Sequence, residues 1–204
     1  MRQSVAVRST LASAVWPVME NRSALLRRAV ALLRLAVLVL AGTAILAASA
    51  QVKVPMWPVP VTMQTFVVLM IGMAYGWRLG GATLLTYMGE GALGLSVFAS
   101  GGGLAYFAGP TSGFLIGFFF AAVFVGWLAE RGWDQSLLRT AIAMTGGTAL
   151  IYLFGVSWLA VFFGDVDKAL VLGLYPFIVG DMVKIALATL LLPFCWKLLD
   201  RFSR

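Results

Sequence analysis

The chain contains no histidine and a single cysteine, Cys195. Zinc sites, Cys–His pairs and Ser–His relays need imidazoles or clustered thiolates, so none of them can be assembled here. An internal disulfide lacks its second sulfur. Charge is also scarce, at 11% of 204 residues, where a soluble domain carries roughly a quarter. No Gly-x-x-x-x-Gly-Lys-Ser/Thr loop occurs, so the chain has no P-loop of its own for ATP hydrolysis. Short segments of alternating polarity, which a transmembrane β-barrel requires, are missing as well. Catalytic residues, a metal and a cofactor are therefore not expected.

What fills the space is apolar sequence, 61% of the chain. It comes in unbroken runs of about 20 residues, long enough for helices to cross a hydrocarbon core of roughly 30 Å. The runs fall at 29–50, 62–77, 79–95, 111–129, 140–163 and 176–196. This predicts an all-α, polytopic integral membrane protein, a bundle of six transmembrane helices. The second and third runs are separated only by Arg78 and its neighbours, and one long bent segment would give five crossings instead. Tyr75-Gly76-Trp77-Arg78-Leu79-Gly80 favours the reversal, because aromatics suit the headgroup level and glycines permit a tight turn.

The net charge of +7 would suit a nucleic acid, but excess Lys and Arg in a membrane protein marks its cytoplasmic loops. Nucleic-acid binding is not expected. With six spans, Arg2, Arg8, Arg22, Arg27, Arg28, Arg34, Arg78, Arg131, Arg139, Lys197, Arg201 and Arg204 share one side, and Lys53 and Lys168 face the other. Both termini are then expected in the cytoplasm of a cell-membrane protein. Residues 1–28 read as a basic cytoplasmic arm, either disordered or a short interfacial helix, and 29–204 as the membrane domain.

Two outer connections are unusual. Val54-Pro55-Met56-Trp57-Pro58-Val59-Pro60 forces an extended path. The stretch from Ser96 to Pro110, with Gly101-Gly102-Gly103, Tyr106 and Phe107, is nearly uncharged, as a loop folded over the bundle would be. Below them, Asp181 and Lys184 follow Pro176 inside the last apolar run. Each such charge costs about 2.5–3.5 kcal/mol at mid-span, so both need a partner or a cavity. One reading is a site for a polar ligand entering from outside; the other is an ion pair that pins helices, or a snorkelling lysine. Glu90, among the glycines ending the third run, and Thr62 and Gln64, opening the second, lie on the same outer side. In the first run, Ala44-x-x-x-Ala48 offers a smooth face for close helix contact, within the chain or with a partner subunit.

Pro58-Val59-Pro60-Val61-Thr62-Met63-Gln64-Thr65-Phe66, Gly94-Leu95-Ser96-Val97-Phe98, Gly109-Pro110-Thr111-Ser112-Gly113-Phe114-Leu115-Ile116-Gly117-Phe118, and Pro176-Phe177 through Gly180-Asp181 to Lys184 together form a recognisable pattern. In that order, from about residue 29 to 194, the chain resembles the BioY family, the biotin-specific substrate-capture subunits of energy-coupling factor (ECF) vitamin transporters. It departs from the family's pattern at Ser96 and Val179, where a proline is usual. The resemblance implies a six-helix subunit that binds biotin from outside with high affinity. It also implies work with a transmembrane coupling subunit and cytoplasmic ATPases that supply the energy. Asp181 and Lys184 match the family's biotin contacts, and Ala44 and Ala48 the face toward the coupling subunit.

A ureido ring, with two N–H donors and one carbonyl, suits an Asp beside a Lys. Tyr87, Leu95, Val97 and Phe98 are expected to line the apolar part of the site, with Glu90, Gln64 and Thr62 as further contacts. Two other functions stay open at this level: a subunit of the same architecture for riboflavin or thiamine, and a membrane-embedded enzyme acting on a lipid-linked substrate.

Overall fold

The computed structural model describes residues 10–15 and 24–202. Arg2, Arg8, Arg22 and Arg204 of the charge argument lie outside the described residues.

A short helix, α1 (Leu11–Val15), precedes the long α2 (Ala24–Gln51). An antiparallel pair of two-residue strands follows, β1 (Lys53–Val54) and β2 (Val61–Thr62), with Lys53 opposite Thr62. This pairing is the extended path that the three prolines impose, because neither they nor the residues before them accept helical backbone. Then come α3 (Gln64–Ala92), α4 (Ser112–Ala129), α5 (Leu137–Phe163), the short α6 (Val166–Gly173) and α7 (Tyr175–Phe202). The five long helices are each apolar enough to cross a membrane.

One of the five is two helices folded together. Gly76 has φ 81 and ψ 173, backbone that an L-residue rarely adopts and that no helix contains. The Gln64 amide lies 2.7 Å from the Tyr87 hydroxyl, yet 23 residues of straight helix would separate them by about 34 Å. The chain therefore reverses at Gly76, and the arms 64–75 and 77–92 run antiparallel. A Cβ on Gly80 would sit only 3.2 Å from the Gly72 Cα, so small residues let the arms touch. The bundle thus has six rods, and the tight turn expected at 75–80 is centred on its glycine.

The helix α4 is the centre of the bundle and mostly buried, whereas α2 is mostly exposed. It packs between α3 and α5. At Gly72 a Cβ would lie 2.5 Å from the Ala122 carbonyl oxygen, so α3 and α4 meet backbone to backbone, as small residues permit in membranes. On the periphery, α2 leaves Ala44 and Ala48 exposed on its outer face.

Two features were not legible in the pattern of apolar runs. The segment α6 forms an extra short helix between α5 and α7, with the Asp165 side chain accepting from the Lys168 backbone N–H at 3.1 Å. The arm is not wholly separate from the membrane domain either. Leu11 is buried in the main core, α1 packs against α3 and α7, and Arg34 donates to the Ala12 carbonyl at 2.8 Å.

Candidate functional site

The starts of α3 and α7 lie at one end of the bundle, and the mid-portion of α5 reaches the same level. Three elements consequently deliver polar groups to one point. On α7, Asp181 and Lys184 stand one turn apart, and the ammonium is 2.8 Å from Asp181 Oδ1. The same ammonium donates to the Thr62 carbonyl at 2.8 Å and to Thr65 Oγ1 at 2.8 Å. All three of its N–H groups are therefore used. The Thr65 hydroxyl donates to Asp181 Oδ1 at 3.0 Å, and the Tyr152 hydroxyl of α5 donates to Asp181 Oδ2. With both residues buried, this saturation is what makes two charges tolerable inside a bundle.

Beside this network is a cavity, small in this structure at about 40 Å³. Thr62, Gln64, Thr65 and Tyr152 supply its polar wall, and Phe98, Tyr106, Phe114, Ile151 and Phe177 its apolar one. A second, deeper void of about 10 Å³ reaches Asp181, Lys184 and Thr148, and Thr65 borders both. The ion pair thus sits behind the main cavity, with Thr65 and Tyr152 between it and the open space.

The glycine-rich loop covers the cavity. Phe98, 1% exposed, lies tilted against Tyr106 at 4.7 Å and meets Tyr87 edge-on at 5.3 Å. A Cβ on Gly91 would fall 2.0 Å from Phe98 Cζ, so the ring occupies a notch that only glycine leaves open. Two contacts hold the loop from outside: the Lys53 ammonium donates to the Ala99 carbonyl, and Gln51 to the Phe98 carbonyl at 3.3 Å. The apolar loop folds over the bundle end, as its lack of charge suggests.

Of the residues singled out from sequence, Thr62, Gln64 and Phe98 line the cavity, and Asp181 and Lys184 stand just behind it. Tyr87 is fully buried one layer back, its hydroxyl donating to the Val97 carbonyl at 2.8 Å while accepting from Gln64. Val97 contributes that carbonyl and no cavity wall. Two residues fall elsewhere. Leu95 is 55% exposed, because the turn closed by Val97 N–H to the Leu95 carbonyl at 2.8 Å sends Phe98 inward in its place. Glu90 faces α2, where Thr43 Oγ1 lies 3.0 Å from its carboxylate.

Thr65 and Tyr152 were missed. Tyr152 carried a signal, since a tyrosine in the middle of an apolar run, away from the headgroup level, needs a buried partner for its hydroxyl. Thr65 lies one residue beyond Gln64 and carried none of its own.

The opposite end of the bundle holds Arg78, Arg131 and Arg139, all exposed. Among the described residues no cluster of metal-ligating side chains occurs.

Comparison with known proteins places this architecture. The crystal structure of the S-component for biotin from an ECF-type ABC transporter matches with a TM-score of 0.71 at 22% identity, covering 81% of this chain and 92% of that one. At that identity the likeness establishes the fold. A probable biotin transporter BioY of Pyrococcus horikoshii is 41% identical over 149 residues, 72% of this chain and 87% of that protein. The biotin transporter BioY of Thermotoga maritima is 36% identical over 150 residues, 73% and 88% of the two chains. The BioY family model matches residues 19–201. This multi-pass membrane protein belongs to the BioY family.

Proposed function

We propose that the chain is the biotin-capturing subunit of a vitamin uptake system and takes biotin into the cavity under the glycine-rich loop. The relatives' names motivate the ligand. The observation that carries it is the Asp181–Lys184 pair held behind Thr65 and Tyr152 at the cavity wall. A cyclic urea brings two N–H donors and one carbonyl. The carboxylate of Asp181 accepts from the former, directly or through the Thr65 and Tyr152 hydroxyls, and the Lys184 ammonium serves the latter. The hydroxyl network keeps both charges satisfied until the ligand arrives, so binding exchanges hydrogen bonds without exposing a bare ion. The aromatic wall of Phe98, Tyr106, Phe114 and Phe177 accepts the sulfur ring and alkyl chain.

The cavity opens at the end opposite the arginines. By the positive-inside rule that end faces out of the cell, so the protein captures its ligand extracellularly, with both termini in the cytoplasm of a cell-membrane protein. It acts as a transporter subunit and not as an enzyme. Without a P-loop, energy comes from separate cytoplasmic ATPases through a transmembrane coupling subunit that meets the exposed Ala44 and Ala48 face of α2.

The test is retention of labelled biotin by the purified protein with no nucleotide present. Biotin is expected to bind at one site and to resist competition by excess riboflavin or thiamine. Absence of biotin binding, or displacement by either of the other vitamins, rejects the proposal.

A further inference from the structure

Far from the biotin cavity, the lipid-facing side of the bundle carries a groove between α4 and α5 that closes on the turn of α3. It is an open groove of about 490 Å³. Its walls are Phe120 and Phe124 of α4 and Leu153 and Phe154 of α5, with Trp77 and Trp127 also lining it. The Phe120 and Phe154 rings lie flat on each other at 4.7 Å and 8°. Trp127 stands at the arginine-rich end of α4, and a Cβ on Gly126 would lie 2.5 Å from the Trp77 backbone nitrogen. Both indoles therefore belong to one corner.

Each of these indoles carries a guanidinium. Arg78 lies 5.0 Å from the Trp77 ring centre and Arg131 3.5 Å from that of Trp127. Arg131 also donates to the Trp127 carbonyl at 2.8 Å, which fixes its stem and leaves its remaining N–H groups free to turn outward. The nearby acid, Glu130, has its Oε1 directed at Gly76, 2.6 Å from where a Cβ would be. Among the described residues neither guanidinium forms an ion pair with Glu130, so both remain available to an outside anion at this corner.

From these features we infer that the groove is a specific site for an anionic phospholipid of the cytoplasmic leaflet. One acyl chain lies along Phe120, Phe124, Leu153 and Phe154, and the headgroup phosphate bridges Arg78 and Arg131. The distance from residue 120 to 127 along α4 is about 10 Å of helix, so the chain enters at headgroup depth and runs toward mid-membrane. Indoles suit the interface where such a lipid's glycerol backbone sits, and guanidinium forks match phosphodiester oxygens. A zwitterionic lipid brings an ammonium to a corner that already holds two cations, which selects for phosphatidylglycerol over phosphatidylcholine. This site does not depend on the biotin reading.

The experiment is native mass spectrometry of the full chain from mixed micelles of phosphatidylglycerol and phosphatidylcholine. The protein is expected to retain one phosphatidylglycerol in preference to phosphatidylcholine by roughly thirtyfold, the size two basic side chains contribute at a membrane surface. The preference should vanish in Arg78→Gln/Arg131→Gln, and Leu153→Trp, which fills the groove, should lose the bound lipid altogether. Equal retention of the two lipids, or a preference untouched by the arginine pair, overturns the inference and leaves ordinary annular lipid. Should the variants fail to insert, the unmodified protein decides. Its tryptophan fluorescence must be quenched more by phosphatidylglycerol brominated on its acyl chains than by brominated phosphatidylcholine at equal mole fraction. Equal quenching rejects the site.

Discussion

The two ends of the bundle use basic side chains in opposite ways. At the cavity end Lys184 is buried, with every N–H committed to Thr62, Thr65 or Asp181. At the far end Arg78 and Arg131 lie exposed over indole rings. Depth accounts for the contrast. An ion near the bundle interior must replace its whole hydration shell with protein groups, whereas one at the headgroups keeps water and needs only a surface to rest on. A charge that has been fully solvated by protein is also held in fixed geometry, and fixed geometry is what selective recognition requires. The cavity end is therefore where substitutions should be felt.

The largest effect is expected from Lys184→Ala. It leaves Asp181 without its cation in a dry setting, a loss of about 3–5 kcal/mol for a buried pair broken on one side, together with loss of biotin retention. Asp181→Asn/Lys184→Met separates the two consequences. Removing both charges at similar volume is often neutral for stability, so this variant should melt near the parent temperature and still retain no biotin. A double variant that binds normally would reduce the pair to a helix pin.

Next is Tyr152→Phe, which deletes one donor to the carboxylate and nothing else. A hydrogen bond to a charged group contributes about 1.5–3 kcal/mol, so the variant should lose stability of that order, and biotin affinity by calorimetry should fall on the order of tenfold to a hundredfold. Gly91→Ala attacks the loop instead. The new methyl would collide with the Phe98 ring and push it off its seat, at a cost of about 1–3 kcal/mol of packing. Labelled biotin should then dissociate faster, with the association rate less affected. If dissociation is unchanged, Phe98 does not hold the ligand in.

How legible all this was depended on how local the determinant is. Six rods follow from lengths of apolar sequence, which the bilayer makes nearly deterministic. The reversal at Gly76 was visible because glycine and interfacial aromatics occur together there. Asp181 and Lys184 stood out because ions are expensive in apolar runs. Thr65 and Tyr152 are ordinary residues whose importance comes from α3, α5 and α7 meeting, and no pattern within one segment encodes that meeting. Leu95 and Phe98 lie in the same short loop, and only the turn at Val97 decides which of them points inward.

The smallest effect should come from Glu90→Gln, and it is the sharpest test of the contrast between solvated and recognition-competent charge. Glu90 lies at the same end of the bundle as the cavity, so proximity in sequence to the glycine-rich loop argues that it matters. Its carboxylate, however, meets Thr43 of α2, 3.0 Å away, and it lines neither the cavity nor the deeper void. Glutamine keeps the shape and an acceptor for the Thr43 hydroxyl, so the change removes charge alone. Biotin affinity should stay within about twofold and melting within about 0.5 kcal/mol, as for substitutions away from buried networks. A tenfold loss of affinity would mean that this carboxylate reaches the ligand in the bound state, and the polar wall would then have to extend from α7 to the end of α3.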